Sequence, residues 1–174
     1  MIQRHFGRRK EINDPIITDR KLPFSHVYLS IVVKDWNILL EDFDSFAAKI
    51  FTNFLTEHPT YKNLFSGLGE IDEDSELEDN GLFMRHAYAI VNGISAALDS
   101  LTGEYEDDGE PLPIIGRAHK ARGITIKMFQ NLQDSILRSC FSLLRCDKRS
   151  RTAWKEVLHF IFENYLCSSM AIKK

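Results

Sequence analysis

The stretch Ile114–Phe129, IIGRAHKARGITIKMF, holds the most informative pattern in the chain. Pro111 and Pro113 stand just before it. Proline suits the first turn of a helix, where a backbone N–H has no intrahelical partner to lose. Ile115 precedes His119 by four residues, which puts both side chains on one face of a short helix. Gly123 breaks that helix, and a longer one runs from about Thr125 to Leu144. A second histidine, His86, lies 33 residues upstream and shares a helical face with Phe83, Ile90 and Ile94. An imidazole among apolar neighbours must find a hydrogen bond or a metal, because burying it unpaired costs free energy.

The same apolar period continues towards the N-terminus. Val27, Ile31, Val32, Leu39 and Leu40 recur at three- and four-residue steps behind Ser25, a suitable N-cap. Phe43, Phe46, Ala47, Ile50, Phe54 and Leu55 line one face of a helix over about 42–57, and His58-Pro59 opens a short helical turn. The acidic, glycine-bearing stretch 66–79 reads as a loop, with Asp79 or Asn80 able to cap the next helix. A second acidic loop, TGEYEDDGE, precedes Pro111, and a last helix is expected from about Ser150 to Ser168. No strand alternation is visible, so the pattern predicts an all-α domain over 25–168, with an N-terminal extension at 1–24 and a C-terminal tail at 169–174.

Composition narrows the classes further. The 174 residues suit one domain with a sizeable core; 44% are hydrophobic and 27% charged, a globular balance rather than a disordered one. A net charge of −3 gives no overall attraction for phosphate, so nucleic acid is not an expected partner. The opening MIQRHFGRRK lacks an apolar run of signal-peptide length, and no window approaches a membrane span. Cys140, Cys146 and Cys167 form no CxxC pair and read as reduced thiols, which favours a cytoplasmic location.

Several marker residues keep a common register. Trp36 is followed after 23 residues by Pro59, after six more by Phe65, after 21 by His86 and after 33 by His119, with Phe129 and Trp154 on the last two helices. In this register residues 25–168 resemble a globin, and GRAHKARGITIKMF is most similar to neuroglobin-type and nematode globins. The N-terminal extension and the long acidic corner depart from the commonest members. The resemblance implies a globin fold of seven to eight helices around a haem pocket, with haem b as cofactor. It implies that His119 is the proximal and His86 the distal iron ligand, and that Phe51, Phe65, Ile90, Ile115, Ile124 and Phe129 touch the haem. Leu132 and Ile126 are equally well explained by plain packing, while Trp36 and Trp154 are expected core anchors. Arg122 and Lys120 are candidate partners for the haem propionates.

Function then depends on the distal side of the pocket. Phe51 carries no hydrogen-bond donor, so His86 is the polar group expected to face the iron there. Bis-histidyl iron would suit electron transfer or redox sensing with a redox partner protein. The alternative is reversible binding of a small gas (O2, CO or NO) for storage, transport or sensing. No enzyme is expected beyond minor nitrite reductase, NO dioxygenase or peroxidase activity, and a haem-free pocket holding a lipid is the remaining reading.

Overall fold

Side-chain caps set where the helices begin. In the computed structural model, which describes residues 21–65, 81–103 and 111–171, Ser25 Oγ accepts the Val27 N–H at 3.2 Å and starts α1 (His26–Leu39). After a 3-10 turn at Leu40–Asp42, the Asp42 carboxylate accepts the Ser45 N–H at 3.4 Å at the head of α2 (Phe43–Glu57). A second 3-10 segment, Pro59–Leu64, begins at the expected proline. Then come α3 (Gly81–Thr102), α4 (Pro111–Lys120) and α5 (Ile126–Leu143), the last capped by Thr125. Helix α6 (Lys148–Ile161) starts two residues before the expected Ser150, because the Asp147 carboxylate accepts the Ser150 N–H at 2.7 Å. Helix α6 runs into a π-helical turn at Phe162–Cys167 and then α7 (Ser168–Ala171). That widening interrupts the single α-helix expected up to Ser168, and no apolar period announces it.

Gly123 has φ of +80°, a left-handed conformation that a residue with a Cβ rarely adopts, and it turns the chain from α4 into α5. The fold is all-α, with no strand among the described residues. The acidic segments at 66–80 and 104–110, including the cap expected at Asp79 or Asn80, lie outside the described residues.

The packing pairs α1 with α6, α2 with both α3 and α5, and α4 with the π turn and α7. Trp36 and Trp154 are fully buried, their ring centroids 6.0 Å apart. Each indole finds a partner: Trp36 Nε1 donates to Ser95 Oγ at 2.9 Å and Trp154 Nε1 to the Asp35 carboxylate at 2.9 Å. Both are core anchors, tying α1 to α3 and to α6. Along the α2–α5 seam, Glu57 accepts from Arg138 Nε at 2.6 Å and from Ser135 Oγ at 2.7 Å, and Asn53 Nδ2 donates to Ser139 Oγ at 2.9 Å. Phe24 is buried edge-on against Phe160 at 5.5 Å, and Ser169 and Met170 are buried as well. Their apolar contact surface holds them to the core, whereas residues 1–20 and 172–174 lie outside the described part.

Candidate functional site

A cavity of about 300 Å³ opens between α2, α3, α4, α5 and the π turn. Its lining is mainly aromatic and aliphatic, the environment a flat apolar ligand requires. Helix α2 contributes Phe51, the end of the second 3-10 segment contributes Phe65, and α3 contributes His86 and Ile90. Ile115 and His119 come from α4, Ile124 from the turn after it, and Phe129 from α5. All eight residues expected at the site therefore meet on one cavity. Leu132 and Arg122 also line it, while Ile126 packs against the core instead. Lys120 does not reach the cavity; its Nζ donates to the Met170 carbonyl.

The two histidines occupy different walls. His86 is exposed at the cavity, with Phe51 stacked on its ring (centroids 6.0 Å, 15° between planes) and Phe65 edge-on at 4.9 Å. Phe51 and Phe65 also pack edge to face at 5.2 Å, so the three rings support one another. His119 is half-buried and packs against Phe129 at 5.5 Å, which in turn meets Phe162 at 6.5 Å.

Backbone geometry fixes the tautomers. His119 Nδ1 lies 2.8 Å from the Ile115 carbonyl, and His86 Nδ1 lies 3.3 Å from the Leu82 carbonyl. A carbonyl can only accept, so Nδ1 carries the hydrogen in both rings, and in a neutral ring this leaves Nε2 with the lone pair a metal would need. A backbone carbonyl on the far nitrogen is the usual support of a metal-binding imidazole, since it holds the ring and raises its basicity. An imidazole is a suitable ligand for the iron of a porphyrin, and the apolar walls suit the faces of such a ring. Arg122 stands at the rim, its Nη1 donating to the Ala118 carbonyl at 2.9 Å, where it could meet a carboxylate of such a ligand. The donor set and the lining thus fit a haem.

Sequence reading missed part of the wall. Gly93 is seven residues beyond His86, two helical turns along the same face, and that spacing could have found it. Met128 adjoins Phe129 but gave no distinct signal. Phe162 and Leu166 reach the cavity through the π turn, so a regular helical period misplaces them.

Comparison with known proteins agrees with this geometry. The globin family model matches residues 48–164. The chain is 22% identical over 127 residues to cytoglobin-2 of Oryzias latipes, covering 71% of this chain and 70% of that protein. It is 21% identical over 152 residues to cytoglobin-2 of Danio rerio, covering 83% and 82% respectively. With its all-α fold, two-histidine cavity and a family match over most of its length, the chain belongs to the globin family of haem-binding proteins.

Proposed function

We propose that the cavity holds haem b, that both His119 and His86 would bind its iron, and that the protein works in one-electron transfer or redox sensing. The observation that carries this reading is the pair of imidazoles on one apolar cavity, each with Nδ1 committed to the carbonyl four residues earlier. Haem b supplies one-electron redox chemistry and a coordination position for diatomic gases. His119 would hold it from the α4 side and His86 from the α3 side. Phe51, Phe65, Ile90, Ile115, Ile124 and Phe129 would exclude water from its faces, and Arg122 would meet a propionate.

His86 decides what else can bind. Phe51 and Phe65 hold its ring in place, and neither offers a hydrogen-bond donor to a gas molecule. An internal ligand favoured about 100-fold lowers the affinity for an external one by the same factor, about 2.7 kcal/mol. Such a site is a poor oxygen store but changes little between oxidation states, which suits exchange of electrons with a partner protein. Any turnover of nitrite, nitric oxide or peroxide would be a side activity dependent on an external reductase.

Reversible gas binding is the second reading, favoured by one feature. The His86–Leu82 contact is long at 3.3 Å and the ring is exposed, so His86 is held less firmly than His119. The optical spectrum of the reduced protein under nitrogen separates the two. A low-spin, six-coordinate spectrum is expected; a five-coordinate, high-spin spectrum overturns bis-histidyl ligation. His86→Leu should then speed carbon monoxide binding by about 100-fold, the internal competitor having been removed.

A further inference from the structure

Helix α4 meets the C-terminal end of the chain at a distance that a single residue type allows. A Cβ placed on Gly116 would overlap Ser169 Oγ and lie 2.6 Å from the Leu166 carbonyl oxygen. Real side chains never approach backbone so closely, so this contact exists because Gly116 has none. The surface it rests on is itself rigidly made. Leu166 belongs to the π turn, and Ser169 Oγ donates to that same Leu166 carbonyl at 2.7 Å. One turn further along α4, Lys120 Nζ donates to the Met170 carbonyl. Residues 116 and 120 share a face of α4, so the helix is seated at two successive points. His119 lies between them in sequence and faces the cavity, to which the Leu166 side chain also contributes.

We infer that this seat, Gly116 against Leu166 and Ser169 with Lys120 on Met170, sets how far the His119 imidazole reaches into the cavity and so the strength of its bond to the iron. Gly116 and Lys120 are positioning residues; neither lines the cavity. The inference rests on the reading that His119 is a haem ligand. A π turn adds a residue to one turn of helix, and such turns recur at functional sites because they re-aim backbone groups. Leu166, whose carbonyl faces Gly116, lies in that turn. A helix as short as α4 (Pro111–Lys120) has little stiffness of its own, so its position is dictated by what it rests on.

The test uses the full chain with His86→Leu, which leaves His119 as the single axial imidazole. Two quantities are read on the reduced protein without gas: the iron–histidine stretching band by resonance Raman, and the rate of haem transfer to a scavenger apoprotein. Lys120→Met keeps the aliphatic stem and removes the tie to Met170. It should shift the band and speed haem loss about tenfold, the usual scale for losing an outer support of a metal ligand. Gly116→Ala should shift the band further, and adding Ser169→Ala should bring it part of the way back. If Gly116→Ala does not fold, Lys120→Met carries the test. Arg138→Met, on the α2–α5 seam, is the control for plain destabilisation and should leave the band where it was. A band and a loss rate in Lys120→Met equal to those of the parent overturn the inference. A parent that binds haem without an iron–histidine band, or binds none, overturns the haem-site reading itself.

Discussion

His119 and His86 show how the same residue type is tuned by its immediate surroundings. Both use Nδ1 on the carbonyl four residues back, yet one contact is 2.8 Å and the other 3.3 Å. The shorter bond belongs to the half-buried ring, where loss of water makes a hydrogen bond worth more. The cysteines are tuned by burial. Burial pushes the Cys167 thiol up to about 11, with the Glu163 charge adding to it, and burial raises Cys140 and Cys146 as well. A thiol nucleophile works as the thiolate, so all three should be slow to react at neutral pH. Cys146 is half-buried while Cys140 and Cys167 are buried. Titration with an aromatic disulfide reagent should therefore modify Cys146 first and slowly, and the other two after unfolding in denaturant. Rapid reaction of all three thiols in the native protein would contradict this.

At the scale of elements, the seam between α2 and α5 shows what a polar contact between helices contributes. Burial alone would raise the Glu57 carboxyl. The Arg138 hydrogen bonds and charge, together with the Ser135 hydroxyl, outweigh it and hold the group below its ordinary value of 4.5. A carboxylate with a depressed folded-state pKa stabilises the fold above its unfolded value, and that stability is lost as pH falls through the folded one. Both side chains are partly exposed, at 33% for Glu57 and 52% for Arg138, so the pair contributes at most about 1 kcal/mol. Arg138→Met should lower the melting temperature by a few degrees at neutral pH. The gap from the wild type should hold constant above about pH 5 and close in more acid solution. A gap independent of pH down to full acid unfolding would show that the loss does not come from the charge on Glu57.

For the molecule as a whole, the two tryptophans mark the centre against which the cavity is built. Trp36 is fully buried, stands edge-on to Phe46 at 5.3 Å and reaches Ser95 on α3, the helix that carries His86. Truncating such a residue removes a large apolar surface and leaves a hole that the surrounding helices close incompletely. Trp36→Ala should cost about 3–5 kcal/mol in urea unfolding, a large share of the stability of an ordinary domain. A loss below about 1 kcal/mol would show that Trp36 does not anchor the core. No helix among the described residues is long and apolar enough to cross a membrane.

The all-α class and the cap at Ser25 were legible in the amino-acid order, and the resemblance to globins pointed to the eight cavity residues from Phe51 to Phe129. Those features follow from local rules: apolar side chains repeat with the helical period, capping oxygens sit beside free N–H groups, and spacing between marker residues survives in one dimension. The seat of α4 was not legible. Gly116 and Ser169 are 53 residues apart, and their contact arises from a π turn that alters the register of the last helix. Phe162 and Leu166 join the cavity for the same reason. Contacts of that range depend on how whole helices settle against one another, and close packing across distant segments leaves no periodic trace in the chain.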